Sequence, residues 1–64
     1  MSIVHLVASD AAILIVYATS NSLHSYQILF WDGLLYHPQE LYPYSFTALK
    51  VAEQLLTQII TSQI

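Results

Sequence analysis

The strongest constraint on the fold is the dipeptide Asp32-Gly33, which separates two apolar runs. The runs cover residues 25–31 and 34–38 and are rich in aliphatic and aromatic side chains. Asp-Gly favours a two-residue type I′ turn, because both central residues of that turn need positive φ angles. The two runs are therefore predicted to pair as antiparallel strands.

A second hairpin is predicted at the N-terminus. Segments 2–8 and 11–19 are rich in Val and Ile, which favour packed strands, and Ser9-Asp10 between them fits a tight turn. An alternative makes Ser9 a helix N-cap and 11–20 a helix. The β-branched residues of this segment favour the strand, because branching at Cβ restricts the side chain in a helix.

These turns set the expected pairing of the strands. Leu6 is predicted to face Ile13 in the first hairpin, and Leu29 to face Tyr36 in the second. Both faces of both hairpins then carry apolar side chains. A single helix covers only one face of a small sheet, so the other face needs a second cover.

The remainder of the chain predicts one helix. The sheet is expected to stop at or before Pro38, because proline lacks the N–H that a strand ladder requires, and Pro38 and Pro43 bracket a loop. Ser45 is a natural N-cap, and 46–64 places its apolar residues on about half of a helical wheel. The predicted fold is α+β: an antiparallel sheet of about four strands in two hairpins, followed by one C-terminal amphipathic helix on one face. Residues 1–64 are expected to form a single domain.

Charge is scarce in this chain and excludes several functions. Charged residues make up 8% of the 64 positions, Lys50 is the one cation, and the net charge is −3. A nucleic-acid partner is not expected, because phosphate binding needs several Lys or Arg side chains. With no cysteine, a chain this small needs an unusually apolar core, an oligomer or a bound partner to stabilise it. A small secreted domain would more often be disulfide-bonded, so we expect the cytoplasm.

No motif for catalysis or cofactor binding is present, and neither an enzyme nor a cofactor is predicted. One alternative is a minimal oligomeric enzyme or metal protein that uses His24, His37 and Glu40. Another is a membrane-associated component that inserts residues 1–19 or lays helix 46–64 in the interface. His5 and Asp10 interrupt the first segment, and basic residues flank neither, so a membrane is not the expected partner.

Aromatic residues supply the candidate binding site. Tyr and Trp are rigid, amphipathic anchors that dominate interface hot spots. The predicted partner-binding residues are Trp31, Tyr36, His37, Tyr42 and Tyr44. An alternative for Tyr36 and Tyr44 is that they pack the junction between hairpin and helix. The sequence thus predicts a small non-enzymatic interaction or regulatory protein, a homodimer or a small subunit of a larger assembly. We expect its second chain on the sheet face opposite the helix.

Overall fold

The computed structural model describes residues 2–62 and shows a four-stranded antiparallel sheet followed by one helix. The strands follow chain order across the sheet, each paired with the next. The elements are β1 Ser2–Ala8, β2 Ala12–Ala18, β3 His24–Phe30, β4 Leu35–Tyr36 and α1 Ser45–Ser62. The predicted α+β fold is confirmed, and β2 is a strand rather than the alternative helix.

Helix α1 lies across β2 and β3 on one side of the sheet, which we call the covered face, and the core lies between them. Alternate residues of a strand point to the same side, and helix residues four apart share a stripe. The stripe on α1 includes Ala48 and Ala52, whose small side chains let the helix lie close to the sheet. The buried core residues are Ala12, Leu14, Val16, Tyr26, Ile28, Ala48, Ala52 and Leu56.

The first hairpin turns one residue later than predicted. Asp10 and Ala11 occupy the turn, and the Ser9 N–H donates to the Ala12 carbonyl at 2.9 Å. The Ser9 hydroxyl oxygen accepts the N–H groups of Ala11 and Ala12 at 3.3 Å and 3.2 Å. The Ser9 side chain therefore supplies a hydrogen-bond acceptor for the backbone N–H groups at the turn. This explains why Ser9 precedes the turn instead of occupying it.

This displacement changes the register but not the faces. Leu6 faces Ile15, two residues from its predicted partner, so the predicted register is wrong. Side chains alternate with a period of two, so a two-residue shift leaves Leu6 on its predicted side. A β-bulge between Ile3 and His5 does change the face of one residue. It turns Ile3 onto the same side of the sheet as its partner Tyr17.

The second hairpin has a three-residue turn instead of the predicted type I′ turn. The Phe30 N–H donates to the Leu34 carbonyl at 2.8 Å, and the Gly33 N–H donates to the Phe30 carbonyl at 2.9 Å. Gly33 has a φ of 97°, whereas Asp32 is not in the positive region. One glycine in the left-handed region with a three-residue loop matches a type I turn followed by a bulge. The Asp32 Oδ1 atom accepts the Leu34 N–H at 3.0 Å.

The extra turn residue shifts the pairing of β3 and β4 by one. Leu29 faces Leu35 rather than Tyr36, and Tyr36 faces Ile28. A one-residue shift moves every side chain to the opposite side. Tyr36 consequently lies on the covered face and Leu35 on the face opposite α1.

The turn between β2 and β3 repeats this geometry without glycine. The Thr19 N–H donates to the Leu23 carbonyl at 2.7 Å, and the Ser22 N–H donates to the Thr19 carbonyl at 3.3 Å. Ser22 therefore occupies the position of Gly33, with a φ of 60°. A residue with a Cβ atom is strained there by roughly 1–2 kcal/mol.

The chain between β4 and α1 returns to the far end of β3. His24 and Tyr42 form an isolated bridge, with N–H to carbonyl distances of 2.7 Å and 2.8 Å. Helix α1 begins at Ser45, and the Tyr44 carbonyl accepts the Ala48 N–H at 3.3 Å. The N-cap position is therefore Tyr44, one residue before the predicted Ser45. The predicted helix residues 63–64 lie outside the described residues.

Candidate interaction surfaces

The side of the sheet opposite α1 is aliphatic, and we call it the open face. Three of its residues expose more than half of their surface: Ile3 58%, Leu6 63% and Leu35 51%. On the inner strands β2 and β3, Ile13, Ile15 and Leu29 are partly covered. The aliphatic residues of the open face are Ile3, Leu6, Ala8, Ile13, Ile15, Leu29 and Leu35. A contiguous exposed apolar patch on a soluble chain marks an interaction surface.

No charged side chain interrupts the open face. Strands β1 to β4 contain no Asp, Glu, Lys or Arg. Gln27 is a polar residue on this side, and it faces Ile15. A surface without charge can meet an identical surface without like-charge repulsion.

The chain itself closes one end of the open face. The Tyr17 hydroxyl and the His37 Nε2 atom lie 2.8 Å apart and share a hydrogen bond. The buried Ser25 hydroxyl donates to the Glu40 carbonyl at 2.8 Å. These two bonds fasten the segment after β4 to the sheet, whereas Ile3, the partner of Tyr17 on β1, stays exposed.

Strand β1 forms one edge of the sheet and is poorly covered on both sides. Val7 faces the buried Leu14 on the covered face, yet it stays exposed because α1 lies over β2 and β3. The outer backbone groups of β1 have no neighbouring strand. This edge is therefore a second accessible surface.

The turns at one end of the sheet enclose a groove with the last turns of α1. The indole N–H of Trp31 donates to the Ser9 carbonyl at 3.0 Å, which joins the two turns. The groove has a volume of about 370 Å³, and we call it the turn-end groove. Its lining residues are Asp10, Ala11, Phe30, Trp31, Asp32, Leu34, Tyr36, Ile59 and Ile60.

A tyrosine cluster, formed by Tyr26 and Tyr42, lies towards the end of the covered face that is away from the turn-end groove. The Tyr42 hydroxyl donates to Glu40 Oε1 at 2.8 Å. Burial raises the pKa of Tyr42 to about 12, and the hydrogen bond to the Glu40 carboxylate and its charge add to that rise. The Tyr26 ring lies 6.4 Å from the Tyr42 ring, and burial followed by the proximity of Tyr36 raises the pKa of Tyr26.

The five predicted partner-binding residues do not form one patch. Trp31 and Tyr36 line the turn-end groove, whereas His37 borders the open face through its bond to Tyr17. Tyr42 is half-buried beside β3, and the exposed Tyr44 stacks on Phe46 with ring centres 5.8 Å apart. A role in binding stays a prediction for all five. The aliphatic open-face residues were not among the named candidates, although the two-sided apolar strands pointed to that face.

Metal binding and membrane insertion were the alternatives for this chain. Within residues 2–62, no three side chains of His, Asp or Glu lie close enough together to hold a metal ion. The His24 Nδ1 atom is buried without a hydrogen-bond partner. Over the same residues, α1 does not combine the length and the hydropathy that crossing a bilayer requires.

No protein-family model matches this chain, and neither the curated proteins nor the solved structures contain a significant match.

Proposed function

We propose that this chain is a small, non-enzymatic interaction or regulatory protein that forms a homodimer through its open face. The observation that supports the proposal is the uncharged aliphatic surface that β1 to β4 present opposite α1. Burial of such a surface is the main favourable term in protein association. We propose the cytoplasm as its compartment, because the chain has no cysteine for a disulfide.

A second copy of the chain suits this surface. Two-fold dimers bring the same patch of each subunit together, so the patch must be compatible with itself. The open face meets that condition, because its strands carry no charge that could repel its own copy. The charged residues lie in turns, in the segment after β4 and on α1: Asp10, Asp32, Glu40, Lys50 and Glu53.

The size of the open face sets the expected strength of the dimer. Seven strand residues span about 23 Å and four strands about 19 Å, so each chain offers a projected area of about 440 Å². Two such faces bury less than about 1,200 Å², the lower bound of standard interfaces. We therefore expect a reversible dimer with a dissociation constant in the micromolar range.

Among residues 2–62, two hydrogen-bonded side-chain pairs contain groups that could act as bases, and both have a structural role. The Tyr17–His37 pair holds the segment after β4 to β2, and the Tyr42–Glu40 pair lies within that segment. This structural role accounts for both hydrogen bonds, which supports the non-enzymatic part of the proposal.

Sedimentation velocity on the wild-type chain and two matched variants tests the proposal. Leu6→Lys places a charge on the open face, whereas Leu34→Lys places the same charge at the turn end. Both leucines expose 63% of their surface, so neither substitution disturbs the core. We expect a dimer for the wild type and for Leu34→Lys, and a monomer for Leu6→Lys at the same concentration.

Two results would contradict the proposal. One is a wild-type monomer throughout the micromolar range that binds no hydrophobic dye. The other is equal dissociation by both leucine variants, which would remove the open face as the interface. Thermal melts of the variants control for folding, since surface substitutions usually change stability by no more than about 0.5 kcal/mol.

A further inference from the structure

The turn-end groove has a rigid aromatic wall. Three of its lining residues are aromatic, and Trp31 is held in place by the 3.0 Å bond from its indole N–H to the Ser9 carbonyl. Leu34 and Ile60 add aliphatic surface, and both are exposed to an incoming molecule. A volume of about 370 Å³ falls at the lower end of ligand pockets, which range over about 300–1,000 Å³.

The electrostatics of the groove favour a cation. Asp10 and Asp32 both line it and are both exposed, and no salt bridge to either occurs among residues 2–62. The hydrogen bond from the Leu34 N–H uses one acceptor position of Asp32, so the carboxylate retains others. The groove thus carries two negative charges that none of the described residues balances locally.

The helix adds to this negative potential. Its last turn contributes no basic side chain, and the carbonyl end of a helix carries a partial negative charge. Lys50, the one cation of the chain, lies ten residues before Ile60, which is about 15 Å along the helix axis. That separation exceeds the screening length of about 8 Å at physiological ionic strength.

We propose that the turn-end groove binds a small organic ammonium ion with an aromatic or short aliphatic body. The ammonium group would lie between the carboxylates and the face of Trp31, where cation–π attraction adds to the charge attraction. The apolar body would contact the aromatic and aliphatic lining. This inference does not depend on the homodimer, because the groove and the open face are different surfaces.

The test uses the intrinsic fluorescence of Trp31, which is the chain's one tryptophan. Phenethylammonium is titrated into the full chain, and phenethyl alcohol serves as its neutral analogue of the same shape. We expect saturable binding of the ammonium in the low millimolar range, and binding of the alcohol about tenfold weaker. Added salt should weaken the first and leave the second unchanged.

Paired carboxylate variants identify the site. Asp10→Asn with Asp32→Asn should weaken ammonium binding about fivefold, because each exposed carboxylate contributes a modest share. Asparagine at position 32 can still accept the Leu34 N–H, so the turn is kept. Glu53→Gln, on the exposed side of α1, is the matched control and should change nothing.

Three outcomes would overturn the inference. The alcohol could bind as tightly as the ammonium, or the double asparagine variant could bind like the wild type. The third is the absence of both a saturable fluorescence change and a shift of the backbone NMR signals of Asp10 and Ile60. Circular dichroism of each variant confirms that the fold is kept.

Discussion

The two faces of this sheet are built from the same kinds of residue but have opposite environments. Along β2, Leu14 and Val16 are buried beneath α1, whereas their neighbours Ile13 and Ile15 point to the open face. The strand composition does not distinguish the two sides, so the helix alone decides which one becomes the core. In such a chain, the apolar character of a strand residue does not show whether the helix or another surface covers it.

The covered and open faces should therefore stabilise different equilibria. Burial of a large aliphatic side chain contributes about 1.5–3 kcal/mol, and the covered face gains this within one chain. The exposed aliphatic groups of the open face gain it only when another surface meets them. Folding should depend on the first face, and association on the second.

The largest expected effect comes from an alanine substitution on the covered face, and the same substitution on the open face serves as its comparison. Ile28→Ala removes a fully buried side chain and should lower the free energy of unfolding by about 2–5 kcal/mol. Leu35→Ala removes a side chain that is 51% exposed, and it should reduce the free energy of unfolding much less. Chemical denaturation of both variants measures the difference.

The dependence on concentration sharpens this comparison. Coupling of folding to dimer formation makes the Leu35→Ala effect grow as protein concentration rises, because the folded dimer is favoured by mass action. The Ile28→Ala effect should persist in dilute protein. Equal effects of both variants at every concentration would contradict the division between the faces.

A smaller effect is expected from the two matching turns, which leave the core untouched. Gly33→Ala should destabilise the chain by about 1–2 kcal/mol, because a Cβ atom is strained at positive φ. Beyond its own residue and its two chain neighbours, a Cβ at Gly33 would have no atom within 4 Å, so the loss comes from local backbone strain and not from a clash with the rest of the fold. Ser22→Gly should instead stabilise the chain by about 1 kcal/mol.

These turn variants also separate folding from association. Gly33 sets the register that puts Leu35 on the open face, so Gly33→Ala should weaken the dimer as well as the fold. Ser22→Gly changes neither face and should leave the dimer dissociation constant unchanged. Thermal melts combined with sedimentation measure both quantities, and a tighter dimer in Ser22→Gly would argue against their independence.

The effect that is weakest at neutral pH concerns the tyrosine cluster of the covered face, because it changes stability only in alkaline solution. Burial and the Glu40 carboxylate raise the pKa of Tyr42 to about 12, whereas an unfolded tyrosine has a pKa of about 10. A pKa raised in the folded state favours the protonated phenol, so its stabilising contribution is complete below pH 10. That contribution is lost as the pH rises from about 10 to about 12.

Ultraviolet titration of tyrosinate formation measures this shift. Glu40→Gln removes the charge and should bring the pKa of Tyr42 closer to 10. Tyr42→Phe should remove the highest titration step. An unchanged titration curve in Glu40→Gln would mean that the carboxylate does not act on this phenol.

The sequence predicts the elements of the fold better than their register. Apolar runs and proline positions were enough to predict the strands and the helix, because these signals are local. The turns were wrong in detail, since the Ser9 hydroxyl displaces one turn and a left-handed Gly33 lengthens another. Small changes at a turn decide which face a strand residue occupies.

The candidate surfaces were likewise predicted only in part from the sequence. The need for a cover opposite the helix was visible in strands that are apolar on both sides. The residues of that face could not be predicted, because membership of the open face depends on the bulge after Ile3 and on the register at Leu35. The turn-end groove was also not visible, since it joins Asp10, Trp31 and Ile60 from distant parts of the chain.

The unequal edges of the sheet limit how the molecule could polymerise. One edge is the seven-residue β1, and the other is the two-residue β4 followed by a segment with a single bridge to β3. A fibre grown edge to edge needs two different edges that fit each other along their length. Here the short edge offers too few ladder positions, so edge pairing by itself stops once two β1 strands have joined. The fold thus limits edge-to-edge growth by geometry, in a chain with little charge to limit it.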